Sequence, residues 1–283
     1  DGYALPSELD ATDDLGVAVR GADLLVMGVP THGFRQVLES VAEAVGPETP
    51  VISLAKGFER STGFRMSQVA SDVLPGRPVG VLTGPNLARE ILEGRSAATV
   101  IAATDPSAAT ALQGLLASER LRVYTNDDLV GCELAGALKN VIALAAGMAE
   151  GLDTGDNARA ALITRGLAEM TRLGVAMGGD PMTFAGLAGM GDVMATCVSP
   201  QSRNRWVGEQ VGRGASPESV LAGMDQVAEG VRTAAVACEM AATVGVEVPV
   251  AEGVRSVFDL GHSPTEVWST LMSRRAGPEV STT

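Results

Sequence analysis

Short apolar runs alternate with amphipathic stretches through the first 125 residues, and then the alternation stops. Residues 22–30 (ADLLVMGVP), 49–57 (TPVISLAKG), 77–85 (RPVGVLTGP), 97–104 (AATVIAAT) and 121–125 (LRVYT) each read as a strand, the first of them buried. Helices are predicted between them over 34–45, 66–74, 87–93 and 106–118, the last with Pro106 in its first turn. Strands alternating with such helices predict βαβ units on a parallel sheet. Residues 1–14 carry no strand or helix signal. From residue 127 onward the pattern is helical throughout. The run 127–150 (DDLVGCELAGALKNVIALAAGMAE) lacks proline, is rich in Ala and Leu and follows Asn126 and Asp127 as caps, so it predicts a long helix. It is apolar nearly all round, which places it inside a core. Residues 156–177 predict a second long helix, with Arg165–Glu169 and Glu169–Arg172 at helical neighbour spacing. Helices over 216–224, 226–244, 250–260 and 264–273 complete this half. The expected organisation is an α/β unit over 1–126, an all-α unit over 127–274 and a disordered tail over 275–283.

Composition narrows the partners. A length of 283 residues accommodates two domains, and a net charge of −13 argues against nucleic acid or an anionic membrane as the main partner. The three cysteines show no metal-ligand spacing and only two histidines exist, His32 and His262, so no metal site is expected. With no basic leader followed by an apolar segment, a soluble cytoplasmic chain is expected, without membrane insertion.

The basic residues are more telling. Of 21, only Lys56 and Lys139 are lysines, and both have apolar neighbours (SLAKGF and GALKNV). Lysine can give up its proton where arginine effectively cannot. Lys139 either snorkels its ammonium to a surface or is buried and needs a carboxylate partner. Asp192, after the glycine-rich GLAGMGD, is a candidate for that partner, or simply a cap. Gly186, Gly189 and Gly191 run G-x-x-G-x-G with no strand before them, so they are not a dinucleotide loop. Ser202, Arg203 and Asn204 begin a helix, where free N–H groups and a guanidinium suit a phosphate, although a surface cap reads the same way.

VPTH, LAKGFE, GPN-A-E, VYTNDD-GCELAGALKNVIALAAGM, GDNARAALITRGLAEMTRLG, GLAGMGD, C-xxx-QSRNR and QVAEG occur in that order along nearly the whole chain. Together they closely resemble the soluble bacterial NAD(P)-dependent glycerol-3-phosphate dehydrogenases. The resemblance implies a Rossmann-type parallel sheet, N-terminally incomplete here, followed by an all-α substrate domain, with NAD or NADP as cofactor. It implies interconversion of dihydroxyacetone phosphate and sn-glycerol 3-phosphate, a small phosphorylated three-carbon substrate, with the product supplying glycerophospholipid synthesis. A homodimer is one assembly it allows. Position by position it implies that Lys139 is catalytic and that Lys56, Gly84, Asn86, Lys139, Asp192, Ser202, Arg203 and Asn204 meet the substrate. Lys56, Ala88, Arg203, Val227 and Glu229 match cofactor contacts. The bacterial pattern usually has Ser or Thr where Asn86 stands. The family opens with a strand–GxGxxG–helix–strand unit, and this chain has no G-x-G-x-x-G. A chain of this span is therefore expected to bind NAD(P)H weakly. Two rivals are a catalytically impaired fragment that binds phosphorylated ligand and a related two-domain reductase of hydroxy or keto acids; the latter would lack the SRNR phosphate site.

Overall fold

The computed structural model describes residue 3, residues 6–224 and residues 228–275. Apart from Arg275, the tail expected over 275–283 lies outside the described residues. Five strands, β1 (Leu25–Met27), β2 (Val51–Ser53), β3 (Val79–Thr83), β4 (Ala97–Ala103) and β5 (Leu121–Asn126), lie side by side in chain order. Helices α1 (Leu15–Val19), α2 (Thr31–Val41), α3 (Met66–Val73), α4 (Ala88–Leu92) and α5 (Pro106–Leu116) are interspersed with them. The rest is helical: α6 (Leu129–Gly151), α7 (Asp156–Ala176), α8 (Pro181–Ala185), a π-helical turn (Leu187–Gly191), α9 (Asp192–Val198), α10 (Arg203–Gly212), α11 (Pro217–Ala222), α12 (Glu229–Val244), α13 (Pro249–Phe258) and α14 (Pro264–Ser273).

Several expectations need correction. The sheet is mostly parallel, but β3 and β4 run antiparallel, with Gly80 opposite Ala103 and Thr83 opposite Val100. The connection between them, residues 84–96, holds only the five-residue α4. β1 is an edge strand with Val26 46% exposed, so it is not fully buried. Helix α1 was unforeseen; Asp14 caps it by accepting the Val17 N–H. Helix α6 is capped by Asp128, which accepts the Gly131 N–H at 2.7 Å, and not by Asn126 or Asp127. Among the described residues, Glu169 forms no ion pair with Arg165 or Arg172 despite the helical spacing. It is buried and accepts the Val250 N–H at 2.9 Å, at the N-terminus of α13.

Helix α6 is the axis of the helical half. Leu134 through Ala149 are all buried, Lys139 and Asn140 among them, and α7, α10, α12 and α13 pack around it. By length and composition α6 could cross a membrane, but it is a core helix here. Its tightest neighbour is α10. A side chain at Gly147 or Gly208 would run into the facing helix backbone, so glycine at both positions permits the close crossing. That crossing carries the start of α10 toward Asn140.

Candidate active site

Lys139 is 7% exposed and does not snorkel. Its ammonium donates to Asp192 Oδ1 at 2.9 Å and to Thr196 Oγ1 at 2.6 Å. Asp192 is the first residue of α9, directly after the π-helical turn. Any side chain at Gly189 would strike the Phe184 backbone, so the turn can close only with glycine there. The wide turn aims Asp192 inward, where it is 2% exposed.

The second lysine comes from the other half. Lys56 follows β2, and its Nζ donates to Gly84 O at 2.9 Å, Asn86 Oδ1 at 2.8 Å and Asp192 Oδ2 at 2.7 Å. Gly84 sits at φ +101°, a conformation that strains any other residue. Each oxygen of Asp192 thus holds one ammonium. Five of the residues singled out in the sequence, Lys56, Gly84, Asn86, Lys139 and Asp192, form one hydrogen-bonded cluster.

Two ammoniums share one carboxylate, and the electrostatics follow from that count. Burial and then the Lys56 charge push Lys139 down to about 8, against the opposing pull of Asp192. Burial alone would raise Asp192, but the two lysines outweigh it and hold its carboxyl below the usual range. The donor inventory separates the lysines. An ammonium has three N–H groups. Those of Lys56 are all taken, whereas Lys139 spends two on described residues and keeps one.

The start of α10 is tied to this cluster by an amide relay. Asn140 Nδ2 donates to Lys56 O at 3.1 Å, Asn204 Nδ2 to Asn140 Oδ1 at 2.9 Å, and Gly230 N to Asn204 Oδ1 at 3.0 Å. Ser202 caps α10 by accepting the Arg205 N–H at 3.2 Å. Among the described residues the exposed Arg203 guanidinium has no hydrogen-bond partner, so of SRN it is the side chain open to an anion. Glu229 is committed elsewhere: its carboxylate accepts the Thr31 N–H at 3.1 Å and the Thr31 hydroxyl at 2.7 Å, capping α2. Ala88 is exposed at the start of α4, and Val227 lies outside the described residues.

Sequence reasoning missed Thr196, Thr31 and the relay role of Asn140. Thr196 had a signal, because it stands four residues after Asp192 on one helical face. Thr31 had none, since its partner is 198 residues away. The loops after β1, β2 and β3 carry Gly28–Pro30, Leu54–Gly57 and Gly84–Asn86, which include a cation and no acid. These loops stand at the carboxyl ends of adjacent parallel strands, where open α/β sheets bind their ligands.

Residues 1–109 match the family model for the N-terminus of NAD-dependent glycerol-3-phosphate dehydrogenase, and residues 128–269 match that for its C-terminus. The chain is 53% identical over 278 residues to a glycerol-3-phosphate dehydrogenase [NAD(P)+] of Sphingopyxis alaskensis, covering 98% of this chain and 84% of that one. It is 51% identical to one from Mycobacterium avium, covering 98% and 81%. The crystal structure of the Coxiella burnetii glycerol-3-phosphate dehydrogenase superposes with a TM-score of 0.93 at 33% identity, covering 96% of this chain and 84% of that chain.

Proposed function

This chain belongs to the NAD-dependent glycerol-3-phosphate dehydrogenase family, and on that premise we propose that Lys139 is the proton donor and acceptor of its reaction. The reaction interconverts dihydroxyacetone phosphate and sn-glycerol 3-phosphate, for which a nicotinamide cofactor, when bound, would supply or take up the hydride. The observation that carries the assignment is the unspent N–H of Lys139 beside the saturated Lys56. In the reductive direction negative charge develops on the carbonyl oxygen, and the Lys139 ammonium stabilises and protonates it. A lysine titrating near 8 is close to the poise such a group needs at neutral pH. In the oxidative direction the neutral amine takes the hydroxyl proton.

Asp192 holds both ammoniums in place, and Thr196 fixes the direction of the third N–H of Lys139. Arg203 binds the substrate phosphate, assisted by the N–H groups at the start of α10. Lys56 and Asn86 line the substrate side, and Glu229 acts on the cofactor side only through the start of α2, which it caps. The three cysteines are unpaired, which suits a reducing cytoplasm, and the product suits glycerophospholipid synthesis. The test is Lys139→Arg, which keeps the charge but cannot release a proton near neutral pH. The expected fall in kcat is about 10²–10⁴, the usual share of general acid–base catalysis. Near-normal turnover would remove Lys139 from the chemistry.

A further inference from the structure

Outside the site, the most heavily bonded buried carboxylate is Glu133, six residues before Lys139 on α6. Its side chain is 6% exposed. It accepts the Ser67 N–H at 2.8 Å, the Ser67 hydroxyl, and the Arg65 guanidinium, all at the start of α3. These partners belong to the sheet half, whereas Glu133 belongs to the helical half. The negative charge stands at the N-terminus of α3, where the helix dipole favours it.

Glu133 shares a face of α6 with two other contacts to the sheet half. Positions 133, 136 and 140 fall on one stripe at helical spacing. Gly136 has no side chain because a Cβ would lie 2.7 Å from Thr83 Oγ1 and 3.6 Å from the Lys56 stem. Asn140 contributes one neutral hydrogen bond, to Lys56 O. Only Glu133 anchors the stripe with charge-assisted bonds, the stronger kind. Asp192 and Thr196 belong with Lys139 to the helical half and Lys56 to the sheet half, and the Lys56–Asp192 ion pair at 2.7 Å is the other charged link between the halves at this point.

We propose that Glu133 is a positioning residue for the reaction: by clasping the start of α3 it sets the register of α6 on the sheet, and so the separation of Lys139 from Lys56. This rests on the assignment of Lys139 as the acid. The groups facing Lys139 are Asp192 and Cys197 from α9 and Lys56 from the loop after β2; Arg65 is the charge facing Glu133. Loosening the clasp leaves the Lys56–Asp192 pair as the charged link there, so the Lys56–Lys139 separation grows and the repulsion felt by Lys139 weakens. The alkaline limb of ketone reduction then moves to higher pH.

The experiment compares Glu133→Gln, Glu133→Ala and Ser67→Ala in the whole enzyme, as kcat, KM and pH profile per folded molecule. Glu133→Gln keeps an acceptor for Ser67 but loses the charge. The expected kcat falls by roughly 10- to 100-fold, the scale of a misplacement near 1 Å. KM for dihydroxyacetone phosphate changes less than kcat does, since Arg203 and Ser202 stay with the helical half while Lys56 and Asn86 shift, and the alkaline limb rises. Ser67→Ala loses less, and Glu133→Gln recovers part of what Glu133→Ala loses. Unchanged kcat, or a lower kcat with an unmoved limb, overturns the proposal, and Glu133→Gln and Ser67→Ala decide it even if Glu133→Ala does not fold. If Lys139→Arg abolishes turnover while Glu133→Gln leaves it intact, the clasp alone is wrong.

Discussion

Replacing Asp192 by Asn removes the one negative charge that a buried and a half-buried ammonium share, at 2.9 and 2.7 Å. The amide keeps the shape and can still accept a hydrogen bond, so the change is chiefly one of charge. With charge centres roughly 4 Å apart and an effective dielectric near 20, the lost attraction is about 4 kcal/mol for Lys139. That corresponds to about three pKa units. Lys139 starts at about 8, so half of this takes it to about 6.5 and the whole of it to about 5. At pH 7 the variant then presents mostly neutral amine to the ketone, and reduction should slow by about 4- to 100-fold. The assay is NADH consumption with dihydroxyacetone phosphate from pH 5 to 9. The wild-type rate should fall as pH rises through about 8, and the Asp192→Asn rate should already fall at least one unit lower. Stability gives a second readout. A lysine whose folded pKa lies below its unfolded value binds fewer protons when folded, so stability rises with pH across that window. The deficit of Asp192→Asn should therefore shrink between pH 6 and pH 9. An alkaline limb that stays put or moves upward would refute the claim that Asp192 sets the charge on Lys139.

Two further outcomes follow from other sites. Arg203→Ala should weaken dihydroxyacetone phosphate by about 10- to 100-fold while barely affecting unphosphorylated dihydroxyacetone, as expected for one charge-assisted contact; equal losses on both would show that Arg203 does not read the phosphate. Glu169 is pushed up to about 7 from an ordinary 4.5, chiefly by burial, so it contributes stability below pH 4.5 that is lost as pH rises through 7. Glu169→Gln should be free of this dependence and gain about 3 kcal/mol on the wild type between pH 4.5 and pH 8, and thermal melts showing the same difference at both pH values would sink the assignment.

What could be read from the sequence was governed by how local each determinant is. The burial of α6 follows from its own composition, and the oddity of Lys139 follows from its neighbours. The pairing of Lys139 with Asp192 was within reach because a buried ammonium demands a carboxylate and one follows the glycine-rich turn. The antiparallel β3–β4 pair was not, because apolar alternation marks a strand without giving its direction. The helix between them is also shorter than the pattern predicts, five residues and not seven. The start of α2 was placed three residues late, since Pro30 has no side chain that could cap it and the cap comes from Glu229 in the other half.

Buried polar groups make the same point more sharply. Glu169, Arg165 and Arg172 have the spacing of a surface ion-pair row, yet Glu169 turns inward to the start of α13. Spacing says which side chains share a face, not whether that face meets water or another helix terminus. Glu133 was passed over for the same reason: within α6 it looks like one charge near the end of an apolar helix. Its partners, Arg65 and Ser67, lie more than 60 residues earlier, in what reads as an unremarkable helix start. Once the chain folds, every buried carboxylate among Glu133, Glu169 and Asp192 is found at a helix N-terminus, holding a lysine, or both. A charge removed from water needs compensation wherever it lands. In this chain that requirement ties together segments whose separation in sequence hides them from any periodicity.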